Sequence, residues 1–407
     1  MREVVILEAV RTPVGRRKGW LRDVHPVRLG SSALCEALAR AKLDPALVEH
    51  VIMGCVGQIG DQAWNLARNV TLDAGLPVEV PATTVDFQCG SSQQAVHLAA
   101  AMIASGQIDI AVAGGVEHMT RVPMGSSRAD GHPFTDRIMA DYNIISQGEA
   151  ADEIARKWGI SREEVDEIGY RSHVRAAQAT ARGWLGREYF PITGVDEAGN
   201  PITVTRDQGF RADASLEKMA TLQPSFSEGG VTTAGNSSQI SDGAAAVVLT
   251  TADKAHELGL KPRAQLVSMV TVGSDPHLML TGPVPATRKA LAQAGLSLDQ
   301  IDLFEVNEAF AAVVAMWQRE IGADMSKVNV HGGAIALGHP LGASGARLMT
   351  TLLNALEIHE KRYGLQTMCC GGGMGTATIV ERLRWYSLTK VIMNNELSIG
   401  YEHVMGS

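Results

Sequence analysis

The stretch that decides the fold is CGSSQQAVHLAAAMIASG at residues 89–106, a turn of small residues that leads into an alanine-rich helical segment. A stretch of the same kind, GASGARLMTTLLNALE, occupies residues 342–357, which begin 253 positions later. The same offset carries VEHVIMG, starting at Val48, onto IDLFEVN, starting at Ile301. Any α/β protein repeats strand, turn and helix at similar spacing, but agreement in both order and offset favours an internal duplication.

Strand-like and helical segments alternate on both sides of these turns. VVILEAV, VEHVIMGCV and IDIAVAGG in the first part, and RAQLVSMVTVG, IDLFEVN and QTMCC in the last third, predict an α/β fold with largely buried strands. Polar loops and two amphipathic helical segments separate these parts, which indicates an inserted region that covers a site and binds a ligand tail. We therefore expect an N-terminal half at 1–120 and 241–262, an inserted loop domain at 121–240, a C-terminal half at 263–383, and a tail of unassigned role at 384–407.

Composition excludes several classes of protein. With 407 residues, 45% of them hydrophobic and 20% charged, the chain can bury more than one core, and disorder is excluded. A net charge of −8 disfavours nucleic acid and acidic membranes as partners, and no apolar run of about 18 residues predicts a membrane span. The five cysteines and the lack of a secretory signal predict a cytoplasmic protein with free thiols. Because CxxC, HExxH and GxxxxGK[ST] are absent, we expect neither a metal site nor a P-loop.

Cys89 is the first candidate for chemistry. A cysteine at the start of a helix faces free N–H groups and the positive end of the helix dipole, which lower its pKa below the usual value of about 8.5. That environment makes a nucleophile. The alternative is a small buried hydrophobic residue, which is the commonest fate of a lone cysteine.

Three further clusters carry candidate residues. His339 lies in a Gly-Pro turn, where the glycines leave room for a ligand to approach the imidazole, although a lone histidine is more often structural. Cys369 ends a predicted strand before glycines whose N–H groups can form an oxyanion hole; the alternative is a glycine hinge. Asn307 ends a strand before a helix, where asparagine commonly acts only as an N-cap.

Taken together, these clusters resemble one family, the thiolases or acyl-CoA C-acyltransferases. The resemblance covers roughly residues 1–383 and rests on four separated motifs in the right order: CGSSQQA at 89–95, NEAF at 307–310, GGAIALGHPLGASGAR at 332–347 and CCGGGMG at 369–375. Supporting matches are RTPVGRRKG at 11–19, TAGNSSQISDGAAA at 233–246 and TGPVPAT at 281–287.

The resemblance implies a fold and a set of roles. Thiolases have two similar α/β halves in a five-layered αβαβα arrangement, with an inserted loop domain that binds CoA. Cys89 matches the nucleophile that carries the acyl group as a thioester, and His339 matches the histidine that activates it. Cys369 matches the acid/base cysteine, and Asn307 matches the asparagine that holds a water in the first oxyanion hole. The backbone N–H groups of Cys89 and Gly371 match the second hole.

Ligands and partners follow from the same resemblance. CoA and acyl-CoA are then substrates, no cofactor is tightly bound, and the assembly is a homodimer or homotetramer. Positions that match the path of CoA in the family are Arg211, Phe226, Ala234, Ser238, Met279, Ala309 and Phe310. One departure concerns Ser146, Gln147 and Gly148, which stand where many members have His-Met-Gly. The motif variants look most similar to degradative thiolases, including bacterial ones that act on bulky or steroid-derived side chains.

Two other functions remain to be weighed. A decarboxylating ketoacyl synthase shares the fold but needs a second catalytic histidine where this chain has Cys369. A non-catalytic protein that binds CoA or acyl-CoA is favoured if a catalytic position is lost, and all four positions are present.

Overall fold

Strands and helices alternate along the chain in the order that the sequence predicts. The computed structural model describes residues 2–128 and 131–383, so the predicted tail at 384–407 lies outside the described residues. The elements up to the insertion are β1 (Val4–Arg11), β2 (Gly15–Arg16), α1 (Pro26–Ala41), β3 (His50–Gly54), α2 (Leu66–Asp73), β4 (Ala82–Val85), α3 (Ser91–Ser105) and β5 (Ile110–His118).

The insertion is mainly helical and leads into the second set of strands. It contains α4 (Asp136–Tyr142), α5 (Gln147–Trp158), α6 (Arg162–Ala181), β6 (Ile192–Val195), β7 (Pro201–Val204) and α7 (Leu216–Ala220). After it come β8 (Ser241–Thr251), α8 (Ala252–Glu257), β9 (Ala264–Gly273), α9 (Pro283–Ala294), β10 (Leu303–Val306), α10 (Ala311–Ile321), α11 (Ala334–Leu337), α12 (Ser344–Ile358), β11 (Tyr363–Cys370) and β12 (Met374–Arg382). No helix in the described ranges is long and apolar enough to cross a membrane.

Helix boundaries in the insertion follow ordinary capping chemistry. Ser146 and Glu149 form a capping box at the start of α5, and each side chain hydrogen-bonds the backbone N–H of the other residue. The same box starts α6. Gly159 ends α5 with φ of 62°, a left-handed conformation that glycine adopts without a steric penalty. Residue 147 is therefore fixed as the first helical residue of α5.

The strand order of the ten-stranded sheet reflects the duplication. Its order is β10-β11-β12-β9-β1-β8-β5-β3-β4, with β2 paired to β8. Outward from the joint between β1 and β9, the order β1-β8-β5-β3 is mirrored by β9-β12-β11-β10. The offset of 253 also relates the first residues of α3 and α12 and those of β5 and β11. The duplication predicted from the sequence is confirmed. The joint consists of only two residue pairs, Val5 with Gln265 and Ile6 with Ala264, so the two half-sheets diverge and leave room for helices between them.

Helices α3 and α12 form the central layer between the half-sheets. Small residues of α3, such as Ala95 and Ala99, share one buried cluster with Leu352 and Leu356 of α12. The two helices approach so closely that a Cβ on Gly345 would collide with the backbone of Gln93. Helices α1 and α2 cover the N-terminal half-sheet, and α9 and α10 cover the other. These five layers confirm the predicted αβαβα architecture, with α5 and α6 packed on α10.

Candidate active site

Cys89 lies in the tight turn between β4 and α3. Gln88 before it has φ of 50°, a left-handed conformation that non-glycine residues adopt at a cost, and Gly90 after it is the N-cap of α3. The side chain of Cys89 is buried, and the backbone N–H groups of Cys89 and Gly371 lie where they favour a negative charge on its sulfur. The oxyanion of an acyl group bonded to that sulfur would form beside the same two N–H groups.

The electrostatics of Cys89 differ from the sequence-based expectation. Burial raises the pKa of the thiol to about 12, and it outweighs the hydrogen bonds from Gly371 and Cys89 that favour the thiolate. The negative charges of buried Glu117 and exposed Asp86 raise it further. The prediction that the helix start lowers the pKa of Cys89 is therefore wrong for the free protein, because the sulfur lies in the interior rather than at an exposed helix end. The resting group is a thiol.

This environment predicts a steep pH dependence for alkylation of Cys89. Below its pKa, the reactive thiolate fraction grows about tenfold per pH unit, so we expect the rate with iodoacetamide to climb without a plateau from about pH 7 to about pH 10. Peptide mapping after timed labelling measures this rate. The experiment uses Cys35→Ser as background, because Cys35 is an exposed thiol. A plateau near neutral pH would contradict the expectation.

Cys369 and Cys370 end β11 and belong to different surroundings. Cys369 packs in the same cluster as Met279, Ala309 and Phe310, whereas Cys370 packs in the cluster that includes Cys89 and Leu348. Burial raises the pKa of the Cys369 thiol, and a negative charge on Cys89 would raise it further. All five cysteines are free thiols, as predicted. The structure thus brings a second protonated thiol into the electrostatic field of Cys89, on the side of the predicted CoA residues.

His339 is held in one tautomer by its neighbours. Its Nδ1 lies 2.5 Å from Ser344 Oγ, and the Ser344 hydroxyl donates its proton to the carbonyl oxygen of Pro340 at 2.8 Å. Since that hydroxyl has only one proton, it must accept from Nδ1–H. The Nε2 of neutral His339 therefore carries the lone pair, and it lies 3.3 Å from Nδ2 of Asn307, which donates to it.

His339 and Asn307 form a buried polar pair. Burial lowers the pKa of His339 to about 3, and the positive charge of Arg347 lowers it further. The imidazole is therefore neutral across the physiological range and ready to accept a proton. Asn307 Oδ1 is buried and has no hydrogen-bond partner among the described residues, so the amide retains an acceptor directed into the site.

Ser344 is a functional residue that the sequence analysis missed, and it supplies a testable prediction. We expect Ser344→Ala to lower kcat roughly 10- to 100-fold, because it leaves the buried Nδ1–H unpaired and frees the ring to adopt the other tautomer. Steady-state kinetics measure the effect, with Ser105→Ala at an exposed helix end as the control. Equal kcat values for the two variants would show that Ser344 does not orient His339.

Buried carboxylates fix the loops around these side chains. Glu117 accepts hydrogen bonds from the backbone N–H groups of Gly342 at 2.8 Å and Val56 at 2.9 Å, so it ties the loop after His339 to the N-terminal half. Glu308 accepts from Ser172 of α6 at 2.6 Å and thereby ties the NEAF motif to the insertion. The signal for Glu117 was a single acidic residue near the end of an otherwise apolar strand, and the sequence analysis did not use it.

The predicted CoA positions fall into two groups. Phe226 and Phe310 meet edge to face with ring centroids 5.8 Å apart, and the backbone N–H of Ser238 donates to Ala309. Met279, Ala309 and Phe310 belong to the same large buried cluster as Cys369, and Phe226 and Ser238 join it through Phe310 and Ala309. The other two, Arg211 and Ala234, are exposed on the insertion and its return, and no contact described here joins them to the five.

The fold and the site define a class of protein. It is an acyltransferase built from two duplicated halves, with a buried cysteine at the start of a helix of the central layer. Residues 4–253 match the family model for the thiolase N-terminal domain, and residues 260–382 match that for the thiolase C-terminal domain. The chain therefore belongs to the thiolase family. Members of this family act on CoA thioesters.

Similar proteins span nearly the whole chain. The steroid 3-ketoacyl-CoA thiolase FadA6 of Mycobacterium tuberculosis is 49% identical over 393 residues, which cover 94% of this chain and 95% of that protein. A 3-ketoacyl-CoA thiolase of Saccharophagus degradans is 46% identical, covering 94% and 99%. The crystal structure of the Bacillus anthracis acetyl-CoA acetyltransferase has a TM-score of 0.87 and 39% identity, and the match covers 94% of this chain and 99% of that one. These matches confirm the family resemblance inferred from the motifs.

Proposed function

We propose that this thiolase cleaves 3-ketoacyl-CoA with CoA to give acetyl-CoA and a shortened acyl-CoA, and that Cys89 carries the acyl group between the two half-reactions. The observation that carries the proposal is a buried Cys89 whose sulfur lies beside its own backbone N–H and that of Gly371, both of which favour a negative charge there. An oxyanion that forms on the attacked carbon needs fixed donors of this kind. The names of the similar proteins support the same reaction.

The first half-reaction begins with the thiol proton. Because the pKa of Cys89 is far above that of His339, the proton moves to Nε2 only as the sulfur bonds to the 3-keto carbon. The two N–H donors then hold the new oxyanion. Once protonated, Nε2–H of His339 becomes a donor toward the thioester oxygen, which a neutral ring in the observed tautomer cannot be.

Cleavage of the carbon–carbon bond leaves the enolate of acetyl-CoA. His339 and a water held by Asn307 stabilise its oxygen, which accounts for the unpaired Oδ1 of that asparagine. Cys369 gives its proton to the enolate carbon, and acetyl-CoA departs. A second CoA thiol then loses its proton to the Cys369 thiolate and attacks the Cys89 thioester. The shortened acyl-CoA leaves, and the Cys89 sulfur takes back its proton from His339, so both thiols and the neutral imidazole are restored. The same groups run the cycle backwards as a Claisen condensation.

CoA binding is proposed at the positions drawn from the resemblance, with the insertion at 121–240 as the loop domain. Met279, Ala309 and Phe310 supply apolar contacts, and Phe226 adds an exposed aromatic face that packs directly on Gly148. Ser238 lies beside Ala309 and offers a hydroxyl to a pantetheine amide. Arg211 and Ala234 are then outer contacts nearer the nucleotide. We also propose that the chain works as a cytoplasmic homodimer or homotetramer without a tightly bound cofactor.

Replacing Arg211 or Ser238 with alanine tests the assigned CoA path. We expect either change to raise the KM for CoA more than it lowers kcat, because these contacts are the same in the ground state and the transition state. Steady-state kinetics with varied CoA measure the two constants. Arg17→Ala serves as the control for a lost exposed charge. A large loss of kcat at unchanged KM would contradict the assignment.

The function as a whole is tested by thiolysis across 3-ketoacyl-CoA substrates, from acetoacetyl-CoA to long and polycyclic chains. We expect acetyl-CoA as a common product, ping-pong kinetics, and an acyl group mapped to Cys89 by mass spectrometry when CoA is withheld. Binding of these thioesters without turnover would favour the non-catalytic alternative and overturn the proposal.

A further inference from the structure

Two side-chain amides lie close to the Cα of Gly371. A Cβ placed on Gly371 would lie 3.0 Å from Nε2 of Gln147 and 3.2 Å from Oε1 of Gln88, which is too close for a methyl group without displacing an amide. Gln147 is the first residue of α5 in the insertion, and Gln88 immediately precedes Cys89. The lack of a side chain on Gly371 thus lets two amides from distant parts of the chain approach one place, which we call the polar cradle.

The orientation of the Gln88 amide is set by Asp86. Gln88 Nε2 lies 3.4 and 3.5 Å from the two carboxylate oxygens of Asp86, which accept only. Its carbonyl oxygen therefore faces the cradle as an acceptor. The left-handed backbone of Gln88 directs the side chain to this place.

Gln147 supplies the opposite wall and has no internal partner. Within the part of the chain that the structure describes, its side chain makes no hydrogen bond, and it is only partly exposed. Helix α5 begins at this residue through the capping box of Ser146 and Glu149, so its position is fixed. The cradle therefore presents an acceptor on one side and an unused amide donor on the other.

The acyl group passes this cradle. The backbone N–H of Gly371 lies close enough to the Cys89 sulfur to favour a negative charge on it, so an acyl group on that sulfur begins next to Gly371. An alkyl chain would displace water from both amides without forming a hydrogen bond to either. A hydroxyl group would accept a hydrogen bond from the Gln147 amide N–H and donate one to the Gln88 carbonyl oxygen. We propose that Gln147 and Gln88 select 3-ketoacyl-CoA substrates with a hydroxyl group close to the 3-keto carbon. This inference rests on the proposed thiolysis.

Three substrates and two variants test this specificity. The substrates are 3-oxohexanoyl-CoA and its 4-hydroxy and 5-hydroxy derivatives, and the measurement is kcat/KM for thiolysis at saturating CoA. We expect the wild-type protein to prefer one hydroxylated substrate over the unsubstituted one by roughly tenfold, the usual scale of one added hydrogen bond. Gln147→Met has nearly the same volume without the amide, and it should reduce that ratio to about one. Gln178→Met, at an exposed site on α6, should keep the wild-type ratio.

The outcomes separate this inference from the function on which it rests. Thiolysis of all three substrates with a ratio near one in the wild-type protein, or a wild-type ratio retained in Gln147→Met, would overturn the role of the cradle and leave the proposed function intact. No thiolysis of any of the three would contradict the proposed function itself, and the substrate class with it.

Discussion

Cys89→Ala is expected to form no acyl-enzyme and to show no turnover in either direction. Both half-reactions pass through a bond to the Cys89 sulfur, and alanine removes that sulfur from beside the Gly371 and Cys89 N–H groups. Intact mass spectrometry after exposure to acetyl-CoA measures the acyl-enzyme, and thiolysis of acetoacetyl-CoA measures turnover. The side chain is small and lies in a turn, so the fold should persist, which circular dichroism checks.

Cys35→Ala is the matched control for this experiment. Cys35 is an exposed thiol on α1, on the outer face of the N-terminal half. We expect this variant to keep the acyl-enzyme and turnover of the wild-type protein. An acyl adduct that persists in Cys89→Ala, on Cys369 for example, would show that the nucleophile has been assigned to the wrong thiol.

The fold was predictable because its decisive signals are local. The turn and helix at 89–106 and their repeat at 342–357 specify α3 and α12 with the same offset of 253 residues in sequence and structure. The joint between the half-sheets was not predictable. It depends on two residue pairs between β1 and β9, and no periodicity in Val4–Arg11 distinguishes a strand with partners on both sides from an edge strand.

Sequence motifs predicted the backbone positions of the candidate site residues. They did not predict the pKa values and hydrogen bonds that depend on burial. Cys89, Gly371, His339 and Asn307 stand in turns that the sequence marks with small residues. The pKa of Cys89 was predicted with the wrong sign, because a helix start favours the thiolate locally while burial by the rest of the fold opposes it. Ser344 carried no signal as a hydrogen-bonding group, and Gln147 was marked only as a departure from the family motif. Their roles depend on which loops meet in space, and neighbouring sequence does not encode that.

Replacing Cys89 and replacing Cys369 should abolish different steps of the reaction, because only Cys89 bonds to the acyl group. Cys369→Ala keeps the Cys89 sulfur and its N–H donors, so we expect it to accept an acetyl group from acetyl-CoA slowly. It should lose carbon–carbon cleavage and solvent hydrogen exchange at the acetyl-CoA methyl group by a factor of roughly 10² or more, the usual scale for a lost general acid/base. Deuterium uptake into acetyl-CoA, followed by mass spectrometry, measures the exchange separately from acylation.

Cys370→Ala is the matched control for Cys369→Ala, since it removes the neighbouring buried thiol from the same strand. Cys370 packs in one buried cluster with Cys89, Leu348 and Met368, whereas Cys369 packs on the side of Met279 and Phe310. Its loss therefore removes a thiol near Cys89 that does not face the predicted CoA residues, and it should leave methyl exchange within a few-fold of the wild-type rate. A cavity alone would affect both variants alike. Loss of exchange in Cys369→Ala only therefore identifies a proton donor rather than a packing group. If Cys369→Ala kept normal thiolysis while Cys89 stayed essential, the acid/base role would pass to His339, whose Nε2 is the other proton acceptor held in the site.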